Sequence, residues 1–287
     1  MAAPGASRSP GIAADSSAAS LTAQLGEVWD SLAELGRTLS DDDWARPTPC
    51  PGWPVSAQYA HVIGTESFLL GRPTPAADPG SPAHVKNDIA RFNEVWVAAL
   101  ANEEREEVLA RFDEVASARK EALKAMGEAE FSAPSWTPVG NADYRRFMQI
   151  RTFDCWVHEQ DVRDTIARPG HESGPAAEQA VDEIVRALGY VVGKKAGAPE
   201  GSLVLIVLAG PLQRSVAVSV SGGRAGVVDP PGRPATTTLE LSSSAFTRLA
   251  CGRVDAEAVL DGVFGGARVS GEEELGRRLL ANLALTI

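Results

Sequence analysis

The strongest constraint on the fold is a change in how apolar residues repeat along the chain. Between Leu21 and Leu39 they recur roughly every three or four residues, which predicts an amphipathic helix. The same spacing predicts further helices over residues 55–70, 83–101, 104–126, 144–167 and 176–194. Beyond residue 201, the runs SLVLIVLAG, SVAVSVSGG and TTTLELS are β-branched or alternating, which predicts strands. The segments SSSAFTRLACG and GEEELGRRLLANLAL predict short helices, and GGRAGVVD predicts a hairpin turn.

This change divides the chain into two domains, a number that also suits its 287 residues. Residues 21–172 are predicted to form a helical bundle, and residues 173–287 a smaller α+β domain. The stretch MAAPGASRSPGIAADSSAAS, residues 1–20, lacks apolar periodicity and is predicted to be a disordered tail. It also lacks the apolar core of a secretory signal.

Charge and cysteine content exclude several classes of protein. A net charge of -11 leaves no general basic footprint for a nucleic acid or an anionic membrane. The sequence contains no run of about 18 apolar residues, so no membrane-spanning helix is predicted. Three scattered cysteines are too few for a disulfide framework and indicate a reducing, cytoplasmic compartment. Small molecules are therefore the expected partners, and nothing in the sequence indicates an oligomeric state.

The segment FDCWVHEQDVRD carries the strongest chemical signal. Asp154 and His158 are four residues apart, so a helix places them on one face, flanked by Arg151 and Asp161. A carboxylate and an imidazole at this spacing can bind one divalent ion, and His61, in another predicted helix, is the candidate third ligand. Two histidines and a carboxylate leave coordination positions open, which suits catalytic zinc or ferrous iron. The alternative is the polar face of an ordinary amphipathic helix.

Three stretches resemble a known family. The segments DDDWARPTPCPGWPVSAQYAHVIGTE and RTFDCWVHEQDVRD resemble the motifs of the mycothiol-dependent maleylpyruvate isomerase family, and GGARVSGEEELGRRLLANLAL resembles the end of its C-terminal domain. The resemblance implies a DinB-like, up-down four-helix bundle followed by a small α+β domain of sterol-carrier-like type. The chain has 22 arginines against 5 lysines, a bias that fits a GC-rich actinobacterium, the kind of cell that makes mycothiol.

The resemblance also implies a cofactor and a type of reaction. The family's metal ligands correspond here to His61, Asp154 and His158, with zinc the first expectation and iron the alternative. Mycothiol would be the thiol cosubstrate, so the protein need not supply a nucleophile and no catalytic residue is assigned. The family's isomerases have glutamate where this chain has Asp154, which shortens the side chain by one methylene. Both an isomerase and a thiol S-transferase acting on a small electrophile therefore remain open.

Other polar residues receive more modest predictions. Arginine pairs bidentately with carboxylates, so Arg151 and Arg268 are candidates for binding substrate or thiol carboxylates, with structural salt bridges as the alternative. Asp161 is predicted to orient His158 or another nearby group, or to form a salt bridge on the helix surface. A structural role as a buried thiol is expected for Cys50. The two remaining histidines, His84 and His171, are expected to be solvated.

Two other functions compete with a thiol-dependent enzyme. The C-terminal domain could bind an apolar ligand, with the bundle serving as a non-catalytic metal module. Alternatively, the metal could activate water in a thiol-independent hydrolase. Dependence of turnover on a thiol separates the enzyme hypotheses, and an apolar cavity beneath SLVLIVLAG would favour the ligand carrier.

Overall fold

A computed structural model describes residues 11–229 and 232–285. It divides into two compact units. One is Asp15–His171, and the other combines the chain from Glu172 onward with the described N-terminal residues up to Ala14. The first unit is largely helical and the second contains a β-sheet with helices, which confirms the predicted two-domain α+β class.

The first unit is built from seven helices and a short hairpin among its described residues. They are α1 (Ala18–Arg37), α2 (Asp41–Ala45), α3 (Val55–Leu69), α4 (Asp88–Leu100), α5 (Arg105–Lys124), α6 (Glu128–Phe131), β1 (Pro134–Thr137), β2 (Gly140–Asp143) and α7 (Tyr144–Thr165). The long helices form the bundle: α1 and α3 each pack against α5 and α7. Helix α4 packs on α3. The hairpin β1–β2 lies where the sequence suggests only a loop, because four-residue strands are too short to show a period.

Local capping explains where the helices begin. The side chains of Ser17, Asn87 and Asp143 accept hydrogen bonds from backbone amides in the first turns of α1, α4 and α7. The cap at Asn87 starts α4 several residues later than the sequence periodicity suggests. Helix α3 is buried on nearly all of its faces, as expected for a central helix of a bundle. The chemical groups that it carries are therefore inside the unit.

The second unit contains a five-stranded sheet of order β5-β4-β3-β6-β7. Its strands are β3 (Leu203–Ala209), β4 (Arg214–Ser221), β5 (Arg224–Val228), β6 (Thr237–Ser242) and β7 (Ala267–Gly271). The β3–β6 pair is parallel and the other pairs are antiparallel. The helices are α8 (Pro175–Tyr190), which continues into a π-helical turn at Val191–Lys195, α9 (Ser243–Ala250), α10 (Ala256–Leu260) and α11 (Glu273–Ala281). The glycines of GGRAGVVD form the turn between β4 and β5.

Residues 1–20 are predicted to form a disordered tail. Residues 1–10 lie outside the described part of the chain, and within residues 11–20 the structure shows specific contacts. The backbone amides of Ala13 and Ala14 donate to the fully buried carboxylate of Asp182, which also pairs with Arg214. A buried carboxylate needs such donors. This pairing is invisible in the sequence because 168 residues separate Ala14 from Asp182.

No helix among the described residues combines the length and the apolar character required to cross a bilayer.

Candidate metal centre

Helices α3 and α7 bring the three predicted metal ligands together. His61 Nε2 lies 2.8 Å from Asp154 Oδ2, and His158 Nε2 lies 3.6 Å from Asp154 Oδ1. One ligand atom from each residue lies within 4.8 Å of the others. The two imidazole rings are 4.7 Å apart between centroids. The four-residue spacing on α7 therefore sets half of the site, and the packing of α3 on α7 completes it.

The site is enclosed but open at its carboxylate. Both imidazoles are buried, whereas the side chain of Asp154 keeps 30% of its surface accessible. His61 Nδ1 is buried and has no hydrogen-bond partner among the described residues. Two imidazole nitrogens and a carboxylate converging beside an accessible edge form a donor set that fits a divalent cation with open positions.

The surroundings of the site keep the Asp154 carboxylate ionised and shift the pKa values of the two histidines in opposite directions. Burial lowers the pKa of His61, so this ring is neutral at pH 7, the form that can bind a metal. Burial opposes a charge on His158, but the nearby carboxylates of Asp154 and Asp161 outweigh it and raise the pKa. Burial opposes ionisation of Asp154, but its basic neighbours, above all the permanently charged Arg151, hold its pKa well below the ordinary value. A cation at this position would compete with the protonation of His158 that these carboxylates favour.

A second group of possible ligands shares His158 with the first. Cys50, His158 and Asp161 also offer atoms within 4.8 Å of one another, but all three residues are buried. Asp161 Oδ2 lies 3.4 Å from His158 Nδ1, on the opposite side of the ring from Asp154. This geometry suits an orienting carboxylate behind a metal-binding imidazole. Cys50 packs in a buried cluster with Trp53 and Ala57, as expected for a structural thiol.

Arg151 is engaged by partners within the protein, and its role in binding substrate carboxylates stays a prediction. Its buried guanidinium donates to Glu66 Oε1 at 2.9 Å, to Asp154 Oδ2 and to Cys155 Sγ at 3.1 Å. The structure thus favours the alternative of a structural ion pair. Arg151 and His61 contact the same oxygen of Asp154, so the guanidinium helps to fix the position of this carboxylate.

The other predicted arginine lies in the second unit. Arg268 is exposed on β7, in register with Glu240 on β6. Its role in binding a carboxylate stays a prediction.

Two residues of the site went unassigned in the sequence. Glu66 is fully buried between Arg119 and Arg151, and Trp53 packs its indole 5.2 Å from the His61 ring and 5.5 Å from the His158 ring. Both belong to the stretch PGWPVSAQYAHVIGTE. A carboxylate within a helix that is apolar on several faces was the available signal for Glu66, since such a charge needs a buried partner.

His84 and His171 were expected to be solvated, and this prediction is wrong. Each imidazole instead contacts a buried carboxylate. His84 Nε2 lies 2.6 Å from Glu94 Oε1, and His171 Nδ1 lies 2.7 Å from Glu159 Oε2. These carboxylates come from α4 and α7, which the loop positions of the histidines do not reveal.

His171 is expected to stabilise the fold in a pH-dependent manner. Burial favours its neutral ring, but the hydrogen bond to Glu159 and the charges of Glu159 and Glu27 raise its pKa, with Arg163 opposing them. Because the pKa of His171 is higher in the folded state, the charged ring stabilises the fold. This stabilisation is complete at pH values below the unfolded-state pKa of about 6.5, and it is lost as pH rises through the folded-state pKa. We expect His171→Gln to reduce the free energy of unfolding by about 1–3 kcal/mol at pH 6.

The check is urea denaturation of both proteins at several pH values. The difference between them should shrink from pH 6 towards pH 9. A difference that is constant or grows with pH would contradict the assignment of the charged ring to the folded state.

Comparison with protein families shows to which family the chain belongs. Residues 25–163 match the Mycothiol maleylpyruvate isomerase N-terminal domain, and residues 178–278 match the MDMPI C-terminal domain. The chain belongs to the mycothiol-dependent maleylpyruvate isomerase family. The two matches fall on the two units of the structure, and all three candidate ligands lie within the first match.

Solved structures of this family have the same fold. A crystal structure of the mycothiol-dependent maleylpyruvate isomerase covers 88% of this chain and 92% of its own, with a TM-score of 0.54 and 15% identity. A histidine-to-alanine mutant of a mycothiol-dependent maleylpyruvate isomerase gives a TM-score of 0.53 at 12% identity over the same shares. At these identities the likeness concerns the fold alone.

Curated relatives match over a shorter region. An uncharacterised protein of Mycobacterium tuberculosis, found in strain CDC 1551 / Oshkosh and in strain H37Rv, is 35% identical over 80 residues. The matched region spans 28% of this chain and 26% of that protein.

Proposed function

We propose that this protein is a divalent-metal- and mycothiol-dependent enzyme that activates the thiol for addition to a small electrophile. The observation that carries this proposal is the convergence of His61, Asp154 and His158 beside an accessible edge. Membership of the mycothiol-dependent family supplies the identity of the thiol. Zinc is the expected ion and ferrous iron the alternative, since both suit two histidines and a carboxylate.

The chain's own residues would hold and tune the centre. His61, Asp154 and His158 would be the ligands, Arg151 keeps Asp154 ionised and in place, and Asp161 orients His158. A bound divalent cation would lower the pKa of a coordinated thiol and so keep it as a thiolate at neutral pH.

The cysteines of the first unit support an external nucleophile. Burial raises the pKa of the Cys155 thiol to about 12, so it is protonated at neutral pH. Cys50 is buried in an apolar cluster. Both thiols are buried, whereas a reactive cysteine is partly exposed to solvent.

The proposed reaction is isomerisation of a cis double bond or transfer of the thiol. In the first, the thiolate adds to an activated double bond such as that of maleylpyruvate, the resulting single bond rotates, and elimination returns the thiol and a trans product. In the second, the thiol remains bonded to the electrophile. The shorter ligand Asp154 leaves both reactions open, because it changes the reach of the carboxylate without changing its chemistry.

Metal analysis and calorimetry test the proposal directly. We expect about one divalent ion per chain by mass spectrometry, and binding of mycothiol that depends on this ion. Turnover of maleylpyruvate with mycothiol would then identify an isomerase, and a stable thiol adduct would identify a transferase. Absence of bound metal after reconstitution would overturn the proposal.

The competing functions have less support. Turnover without any thiol would indicate a metal hydrolase instead. A carrier of apolar ligands would need space beneath β3, but Leu203, Val204, Ile206 and Leu208 on that strand are already buried by the protein itself.

Replacement of Cys50 with serine is expected to retain most of the mycothiol-dependent activity. The thiol contributes packing beside Trp53 and Ala57, and the nucleophile comes from the cosubstrate. Steady-state kinetics and a thermal unfolding midpoint should be measured on the same preparation. Complete loss of turnover in a folded Cys50→Ser protein would show that this thiol takes part in the chemistry.

A further inference from the structure

Trp53 packs against both candidate metal-binding histidines. Its ring is tilted by 41° to that of His61 and by 33° to that of His158, and the His61 and His158 rings also contact each other. The indole therefore restricts how far either imidazole can rotate. A side chain that controls two ligands at once must itself be fixed in place.

A buried carboxylate on α4 fixes the indole. Trp53 Nε1 donates to Glu94 Oε1 at 2.5 Å, and Glu94 is itself buried. The packing of α4 on α3 sets the position of Glu94: a Cβ at Gly64 would come within 2.4 Å of the Trp96 ring. Glycine at residue 64 thus allows Trp96 to lie directly on α3, three residues beyond His61.

The same carboxylate oxygen has a second partner. His84 Nε2 lies 2.6 Å from Glu94 Oε1, so His84 ties the segment between α3 and α4 to this helix. The imidazole lies against Gly52, where a Cβ would come within 2.8 Å of it. Gly52 has a φ of +82°, so this position combines a left-handed backbone with a close approach. Glu94 therefore joins the segment before α3 to the segment after it.

We propose that Glu94 is a positioning residue of the metal centre: it fixes Trp53 against the His61 and His158 rings, and His84 holds the carboxylate in place. The assignment of the metal centre to these two histidines rests on the proposed function. Glu94 is 41 residues from Trp53 in the sequence and is not one of the candidate ligands. Its effect on the metal passes through the indole.

The test compares Glu94→Ala with Glu94→Gln. Glutamine keeps an acceptor oxygen for the indole and for His84, whereas alanine removes it. Loss of a group that orients metal ligands typically weakens metal binding by about 10–100-fold, and we expect this loss for Glu94→Ala. Glu94→Gln should stay close to the wild-type affinity. Binding of Co²⁺ measured by calorimetry, with its visible absorption as a report on ligand geometry, gives both quantities.

Two controls separate positioning from general destabilisation. Asp88→Ala removes an exposed carboxylate from the same helix and should leave the Co²⁺ affinity unchanged. His84→Ala leaves the Trp53–Glu94 hydrogen bond in place and should weaken Co²⁺ binding less than Glu94→Ala does. Thermal unfolding midpoints confirm that each protein is folded at the temperature of the titration.

NMR of the metal-free protein tests whether Glu94 positions the two histidines without relying on metal binding. In the metal-free protein, the NMR signals of the Trp53 indole N–H and of the His61 and His158 rings should move in Glu94→Ala and stay near their wild-type positions in Glu94→Gln. Unchanged imidazole signals in Glu94→Ala would overturn the positioning role. Failure of the wild type to bind Co²⁺ would instead overturn the metal assignment, while the ring signals still decide whether Glu94 positions the histidines.

Discussion

Replacement of His61 with alanine is expected to abolish metal binding and mycothiol-dependent turnover while the protein stays folded. His61 is the candidate ligand that α3 contributes beside the pair on α7, and its Nε2 lies 2.8 Å from Asp154 Oδ2. Removal of a ligand should weaken binding by more than the about 10–100-fold loss that follows removal of an outer partner. Metal content by mass spectrometry should fall from about one ion per chain to none.

The control for this prediction is another buried histidine of the same unit. His171→Ala removes an imidazole that pairs with Glu159 and contributes nothing to the three-ligand cluster. This variant should keep the wild-type metal content. Unchanged metal content in a folded His61→Ala protein would contradict the ligand assignment.

Replacement of Glu66 with alanine is expected to have the largest effect on stability. Glu66 Oε2 accepts from Arg119 Nε at 2.7 Å, and Oε1 accepts from Arg151 Nε at 2.9 Å, with all three side chains buried. Alanine leaves two buried guanidinium groups without this carboxylate. Breaking a buried ion pair in this way typically destabilises a protein by about 3–5 kcal/mol. Urea denaturation should show a loss of at least this order.

An exposed ion pair in the same bundle provides the comparison. Asp113 pairs with Arg37 at 2.7 Å, but both side chains are largely accessible to solvent. Asp113→Ala should therefore change the free energy of unfolding by less than about 1 kcal/mol. A similarly small change for Glu66→Ala would show that water or other groups compensate the arginines, and that the network contributes little.

The Glu66 variant should also weaken metal binding. Arg151 connects Glu66 to Asp154, so loss of Glu66 frees the guanidinium that holds this candidate ligand in place. Calorimetry with Co²⁺ at a temperature where the variant is folded measures this effect. Wild-type affinity would show that Asp154 keeps its position without the support of the network.

The fold class and the proximity of Asp154 to His158 could be predicted from the sequence because both depend on short-range spacing. Apolar periodicity identified the long helices and the main strands, and a four-residue spacing placed Asp154 and His158 on one face of α7. Short elements such as β1, β2 and α2 escaped prediction since they contain too few residues to show a period. The ordered contacts of Ala13 and Ala14 escaped it for another reason, because their partner Asp182 lies in a distant helix.

Which buried polar groups pair with one another was decided only by the tertiary structure. Arg151 pairs with Glu66, 85 residues away in the sequence, and Trp53 donates to Glu94, 41 residues away. The sequence determined that α7 carries a carboxylate and a histidine, but not that Arg151 supports the first and Trp53 contacts the second. Buried polar groups must take their partners from whichever helices pack around them, and that packing depends on the complementary shapes of side chains far apart in the chain.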